Sequence, residues 1–260
     1  MRRLFILSLL AVGALTLQGC APTVKTAWST VALHCAGSDI DGNAPLLFFG
    51  PSNALGPGSI WRQADAATGG GYRVRWRDHA IPGAQDWSIP GRSFTCNGKD
   101  AVKLSGKAAA AFGSDILRIS GQMQADIALA KQVEFKAASM RWDEVVEGPF
   151  EHAVGKLPGN NPVKQDLSKP GRLVLYRALK VYGFEAKLIF DTPVGATLQS
   201  RYPGNMVLPG HDTLSANLSW RSQSELHISV PNGFYVAGQL VPFDAQDGFC
   251  PCFDDKPRRP

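Results

Sequence analysis

The feature that most constrains the fold of this chain is an alternation of apolar and polar side chains that recurs along its length. It runs through residues 117–129, 182–190, 213–220 and 225–230. Successive side chains point to opposite faces of a strand, so a period of two predicts strands with one buried face. Turns are supplied by 27 glycines and 18 prolines. We predict a mainly antiparallel all-β fold, a β-sandwich of two sheets, with barrel-like closure as the alternative.

Local signals add detail to this prediction. Residues 221–224 separate the last two alternating segments, which indicates a β-hairpin. Residues 103–112 and 142–153 are predicted to form one or two short helices. Gly113 ends the first, and Gly148 followed by Pro149 interrupts the second.

Residues 72–77 alternate so that three arginines share one face of a predicted strand. Like charges about 7 Å apart along a strand repel each other unless counter-charges lie nearby. One interpretation is a solvated face with carboxylates on the neighbouring strand. The other is an anionic ligand or an acidic partner surface. The predicted apolar face is Tyr72, Val74 and Trp76, and the candidate ligand-binding residues are Arg73, Arg75 and Arg77.

The N-terminus has the layout of a secretory signal. Arg2 and Arg3 precede an apolar stretch, residues 4–17, which is followed by small residues. This stretch is shorter than the roughly 20 residues that a helix needs to cross a bilayer, and charge flanks it on one side only. We therefore predict a cleaved leader rather than a permanent transmembrane helix.

The end of the leader, Leu17-Gln18-Gly19-Cys20, resembles the lipobox of bacterial lipoproteins. The resemblance implies cleavage before Cys20 and acylation of that cysteine. The next residue is Ala21 rather than the aspartate that marks inner-membrane retention, which implies an outer-membrane anchor. The expected location is the outer membrane, facing the periplasm, with exposure at the cell surface as the alternative.

These features predict the domain organisation. Residues 1–19 are the signal peptide, 20–27 a lipidated tether, 28–245 the β-sandwich domain and 246–260 a cysteine-bearing tail. Residues 155–171, rich in Gly, Pro and Asn, are the candidate internal boundary, or else one long surface loop. Loss of Arg2 and Arg3 lowers the formal net charge from +5 to +3, and no Lys/Arg-rich run of the usual length is present. We therefore predict no nucleic-acid partner.

Four cysteines remain after Cys20 in a chain predicted to reach an oxidising compartment. An even number of thiols there predicts two disulfides, with three possible connectivities. Cys250-Pro251-Cys252 is also compatible with a local redox disulfide or with a pair of metal ligands, but no further His or Cys lies at ligand spacing. We predict no metal and no cofactor, and the candidate disulfide residues are Cys35, Cys96, Cys250 and Cys252.

No motif for a catalytic nucleophile, a phosphate loop or a catalytic zinc ion is present. Glu147 and Glu151 are candidates for paired carboxylates in acid–base catalysis, and a solvated acidic cluster is the alternative. His211 followed by Asp212 is a candidate catalytic pair if a nucleophile approaches it, and a turn is the alternative.

The leading functional hypothesis is a non-catalytic lipoprotein that binds a protein partner, as an envelope-assembly component or as an inhibitor. Its expected partners are the membrane, through the lipid on Cys20, and a protein of the periplasm or envelope. The first alternative is a periplasmic hydrolase of cell-wall or polysaccharide material, and the second is a module that binds an anionic ligand.

Overall fold

A computed structural model describes residues 46–64, 70–96, 102–106, 109–110, 112–113, 122–204, 206–209, 215–245 and 248–249. About half of these residues lie in strands, which form two sheets with a few short helices beside them. Every strand pairing is antiparallel. Among the described strands neither sheet closes on itself. The predicted mainly antiparallel, sandwich-like β fold is confirmed.

The two sheets differ in size. In sheet A the central order is β1-β13-β8-β2-β3; β7 also pairs with β8, β4 with β7 and β14 with β13. Sheet A contains β1 (Leu46–Ser52), β2 (Ile60–Gln63), β3 (Tyr72–Trp76), β4 (Ser88–Thr95), β7 (Ser139–Val145), β8 (Arg172–Tyr182), β13 (Phe234–Asp244) and β14 (Gly248–Phe249). Sheet B, in the order β10-β11-β12-β9-β6-β5, contains β5 (Val102–Ser105), β6 (Gln132–Lys136), β9 (Phe184–Ile189), β10 (Met206–Pro209), β11 (Ser215–Ser222) and β12 (Glu225–Val230).

The helices are short and lie outside the sheets. A 3-10 helix spans Asp78–Ala80. None of the helices in the described ranges is long and apolar enough to cross a membrane. The α-helices are α1 (Ala84–Trp87), α2 (Gln122–Ile127), α3 (Glu147–Lys156), α4 (Pro162–Leu167) and α5 (Thr192–Arg201).

Short corners carry the chain from one sheet to the other. β6 leads into β7 through Ala137 and Ala138, β8 into β9 through Gly183, and β12 into β13 through residues 231–233. The corners at Ala138 and Gly183 lie close together, because the Ala138 N–H donates to the Tyr182 carbonyl over 3.0 Å. Gly183 turns the chain there with a φ of 58°. The main core therefore lies between the sheets, and both contribute to it, as Met140 and Val181 meet Leu188 and Ile228 there.

A second core lies on the other side of sheet A, beneath helices α1, α3 and α4. Trp87 and Phe150 pack edge-to-face in it with ring centroids 5.1 Å apart. Leu157, Val163 and Leu167, from the segment 155–171, pack in the same core, alongside residues that precede and follow that segment. This core ends at the edge of sheet A formed by β2 and β3.

The strand predicted over residues 117–129 is wrong in the part that is described. Residues 122–127 form helix α2, and residues 114–121 lie outside the described ranges. Gln, Met and Ala favour a helix, and no β-branched residue interrupts residues 122–126. In the helix Met123 and Ile127 are four residues apart and share a face, so alternation alone did not separate strand from helix here.

The two helix predictions need correction at their starts. Residues 102–105 form β5, and Trp142–Val145 is the end of β7. Helix α3 begins at Glu147, so Gly148 and Pro149 lie in its first turn. Proline is tolerated there because the first N–H groups of a helix have no intrahelical partner. The predicted hairpin around residues 221–224 is confirmed by the pairing of β11 with β12.

Candidate functional site

Three neighbouring strands place arginines side by side at one edge of sheet A. Arg62 on β2 pairs in register with Arg73 on β3 and, on its other side, with Arg172 on β8. Residues directly opposite each other on neighbouring strands project to the same face, with Cβ atoms about 4.5–5.5 Å apart. On this face, the apolar row of Ile60 and Val174, which belongs to the second core, gives way to a row of arginines.

Helix α4 brings a carboxylate to this row. The Asn161 side chain begins the helix by accepting hydrogen bonds from the Val163 N–H over 2.8 Å and the Lys164 N–H over 3.4 Å. Val163 and Leu167 anchor one side of the helix in the second core. Asp166, which is 3% exposed, is thereby held against the arginines.

Asp166 receives hydrogen bonds from three directions. Arg172 donates to Oδ1 over 2.9 Å, and Arg75 Nε and Trp76 Nε1 donate to Oδ2 over 3.2 and 3.1 Å. Adjacent strand residues normally point to opposite faces, but the register of β3 against β2 shifts at this point. This bulge allows both Arg75 and Trp76 to reach the same oxygen. Lys169 Nζ lies 3.5 Å from Oδ1.

Asp166 carries the negative charge at the centre of this group. Burial of Asp166 raises its pKa, but the hydrogen bonds from Arg172, Arg75 and Trp76 outweigh burial and lower the pKa to about 2. Asp166 is therefore ionised and offers one negative charge to several cations. The Nε atoms of Arg62 and Arg172 are buried and have no hydrogen-bond partner in the described part of the chain. We name the set Arg62, Arg73, Arg75, Asp166, Lys169 and Arg172 the arginine edge.

An open groove of about 370 Å³ borders the arginine edge. Its lining includes Lys169, Arg172, Pro242, Phe243 and Asp244. The groove adds a concave surface beside the arginine row, of a size that fits a few side chains or a small anion.

The three arginines predicted as ligand-binding residues have different environments. Arg75 belongs to the Asp166 cluster, and Arg73 and Arg77 each interact with another residue. The predicted burial of the apolar face is wrong for Tyr72 and Val74, which are 45% and 38% exposed. The reason is that β3 is the last strand of the order β1-β13-β8-β2-β3, so the sheet ends before this face can be covered.

The carboxylates suggested for catalysis are engaged in other contacts. Glu151 Oε1 accepts a hydrogen bond from the Phe249 N–H over 3.1 Å, which ties β14 to helix α3. Glu147 is exposed and interacts with the Tyr176 hydroxyl. Burial of Tyr176 is the largest cause that raises its pKa, and the charge of Glu147 raises it further. His211 and Asp212 lie outside the described residues. In the described ranges, no group of three or more His, Cys, Asp or Glu side chains is arranged to bind a metal ion.

Cys96 is disulfide-bonded. Cys35, Cys250 and Cys252 lie outside the described residues, so the connectivity stays a prediction. Cys20 also lies outside them, and its acylation stays a prediction.

Sequence reasoning missed Arg62, Arg172 and Asp166. Arg62 follows the apolar pair Ile60-Trp61, and Arg172 begins a long apolar strand, so each resembles an ordinary polar strand end. Asp166 lies in a segment assigned to a loop or boundary. The available signal was Asn161-Pro162, a helix-start pattern, which would have placed Asp166 on a helix.

Comparison with known proteins yields distant structural likenesses. No protein-family model matches the chain, and no curated protein matches it. Among solved structures, a bacterial gasdermin from Bradyrhizobium tropiciagri is similar at 12% sequence identity, with a TM-score of 0.41, over 75% of this chain and 80% of that one.

Proposed function

We propose that this protein is a non-catalytic binding protein, held at the outer membrane by a lipid on Cys20 and facing the periplasm. It binds an acidic segment of a protein partner through the arginine edge. The leader and the lipobox-like Leu17 to Cys20 support the location. The arginine edge supports the binding role, because it places Arg62 and Arg172 directly opposite each other beside a groove.

The observation that carries the binding role is the pair Arg62 and Arg172, which lie directly opposite each other on neighbouring strands and are both partly exposed, with Arg172 lining the adjacent groove. Like charges directly opposite each other on neighbouring strands are destabilising. Asp166 forms ion pairs with both Arg75 and Arg172. A carboxylate from a partner, placed beside the partly exposed Arg62 side chain, would reduce this repulsion.

The hydrolase alternative has less support. It requires Glu147 and Glu151 to act together, yet Glu151 accepts a backbone hydrogen bond from Phe249 and Glu147 interacts with Tyr176. The proposed partner also agrees with the anionic-ligand alternative, because the anion is a carboxylate side chain of the partner protein.

The binding role is tested with Arg62→Ala in the full chain, purified in detergent. An acetylated octapeptide of alternating Glu and Val serves as the acidic probe, and binding is followed by fluorescence anisotropy. We expect measurable binding to the unmodified chain, at least tenfold weaker binding to Arg62→Ala, and weaker binding as salt rises from 0.05 to 0.5 M, because salt screens the charges.

Arg221→Ala is the matched control, since Arg221 is an exposed arginine on β11 in the other sheet. It should leave the affinity unchanged. Equal affinity of the unmodified chain and Arg62→Ala, or no binding of the acidic probe at all, would contradict the proposed binding role.

The anchor is tested separately with Cys20→Ala in cells fed a labelled fatty acid. We expect loss of the label and release from the membrane fraction, because buried acyl methylenes contribute about 0.8 kcal/mol each to membrane binding. Cys35→Ala is the control and should keep the label. A Cys20→Ala protein that still carries the label would contradict the anchor.

A further inference from the structure

We propose that the acidic segment of the partner binds as an extended strand along the outer edge of β3, extending sheet A by one strand. This inference rests on the proposed function, because it specifies how the anionic partner engages the arginine edge. It also predicts the side-chain pattern of the partner, which is acidic and apolar residues in alternation.

The backbone of β3 presents hydrogen-bonding groups away from the sheet. Among the described strands, β3 pairs with β2 on one side, and no strand pairs with its other side. The Ala64 N–H donates to the Gly71 carbonyl over 2.8 Å, and Arg62 is in register with Arg73. Inward and outward groups alternate along an antiparallel strand, so the N–H and C=O groups of Tyr72 and Val74 point to the open edge.

The side chains of β3 form two distinct faces. Tyr72 and Val74, 45% and 38% exposed, lie on the face opposite Arg73. They belong to a group of four large apolar residues that are exposed in the described ranges: Tyr72, Val74, Ile89 and Leu129. A strand added here would place alternate side chains beside Tyr72 and Val74 on one face and beside the arginine edge on the other.

Arginines and bulges on an edge strand also serve to prevent sheets from joining edge to edge. That role accounts for Arg73, Arg75 and the register shift, and it disfavours a second copy of this chain as the partner, because arginine would meet arginine. It does not account for two exposed apolar side chains on the same short strand. An acidic, alternating segment is complementary to both faces.

The experiment uses the full chain in detergent and two N-methylated versions of the Glu-Val octapeptide. One carries N-methyl groups on every Val and the other on every Glu, so both keep the charges and side chains of the parent peptide. A paired strand uses the N–H groups of alternate residues toward its neighbour. Strand addition therefore predicts that one methylated peptide binds at least tenfold more weakly than the other.

The described strand pairings are all antiparallel, and in this orientation the Val-methylated peptide should lose affinity. Directly opposed residues share a face and exchange hydrogen bonds, so the Val residues beside Tyr72 and Val74 would use their N–H groups to pair with β3. Loss with the Glu-methylated peptide instead also supports strand addition, in parallel orientation. Equal affinities of the two methylated peptides would overturn the inference.

The same measurements separate this inference from the proposed function. Binding of the parent peptide that depends on Arg62, together with equal affinities of the methylated peptides, leaves the arginine edge as an anion site and removes the added strand. No binding of the parent peptide overturns both. As a second variant, Val74→Pro removes one outward N–H and should weaken binding of the parent peptide at least threefold, whereas Val74→Thr should retain it.

Discussion

At the scale of single residues, Asp166 shows how a buried carboxylate organises its surroundings. Its four basic or indole partners come from β3, β8 and the turn after helix α4, so one side chain links three parts of the chain. Burial of this charge is unfavourable in itself and is offset by hydrogen bonds from Arg172, Arg75 and Trp76. Replacement by the neutral asparagine leaves one acceptor oxygen for donors that now use two.

We predict that Asp166→Asn lowers the free energy of unfolding by about 2–3 kcal/mol at pH 7. The pKa of Asp166 is depressed to about 2 in the folded chain, so its contribution is present above the unfolded-state pKa. The difference between the unmodified chain and Asp166→Asn should therefore shrink as pH falls from about 4 to about 2. Urea unfolding followed by circular dichroism at several pH values measures this difference.

Glu185→Gln is the control for that measurement. Glu185 forms an ion pair with Lys136 over 2.9 Å, and both side chains are largely exposed, so the change should alter stability by less than about 1 kcal/mol. A difference for Asp166→Asn that is constant from pH 7 to pH 2 would contradict the assigned ionisation.

At the scale of elements, helix α5 lies so close to the hairpin of β11 and β12 that its packing needs a glycine. A Cβ added at Gly195 would lie 1.9 Å from the Gln223 carbonyl oxygen and 3.1 Å from Ser224 Cα. These are backbone atoms, which cannot rotate away as a side chain can. The close approach supports the position of α5, and with it the contact of Arg201 with Asp126 on helix α2.

We predict that Gly195→Ala destabilises the fold by about 2–3 kcal/mol. The energetic cost of the steric overlap exceeds the roughly 1 kcal/mol by which alanine is favoured over glycine in a helix. The matched control is Gly155→Ala in helix α3, where an added Cβ meets nothing within 4 Å. That variant should be neutral or more stable by up to about 1 kcal/mol. Thermal unfolding of both variants checks the prediction, and equal shifts in Tm would contradict it.

At the scale of the whole molecule, the two sheets depend on the corners between them. Gly183 joins β8 to β9 with a positive φ of 58°, and a Cβ there would lie 2.7 Å from the Ala138 Cβ at the neighbouring corner. Because both sheets contribute to one main core, displacement of this corner disturbs packing on both sides of it.

We predict that Gly183→Ala lowers the free energy of unfolding by about 3 kcal/mol, from an unfavourable φ and from steric overlap. Gly171→Ala is the control with a similar φ of 72° but nothing within 4 Å of the added Cβ, so it should lose about 1 kcal/mol. Adding Ala138→Gly to Gly183→Ala should recover part of the difference. Urea unfolding measures all three, and equal losses at Gly183 and Gly171 would contradict the corner contact.

Local patterns predicted the class of fold but not every element. The alternation in residues 225–230 matches β12, in which every second residue is buried, since β12 lies inside sheet B and its apolar face belongs to the main core. The same kind of pattern failed at residues 122–127, because Met123 and Ile127 satisfy helical spacing as well. The predicted burial of Tyr72 and Val74 is wrong for another reason, because alternation does not reveal whether a strand is central or at an edge.

The sequence by itself determined the two-sheet, antiparallel class of this protein and the residues that share a strand face, because side-chain direction alternates strictly along a strand. It also marked Arg73, Arg75 and Arg77 as a charged set. Only the tertiary structure decided their companions. Asp166 reaches Arg75 across 91 residues of chain, and Arg62 comes to lie between Arg73 and Arg172 through strand register. Register and helix docking are set by long-range burial, which leaves no local signal in the sequence.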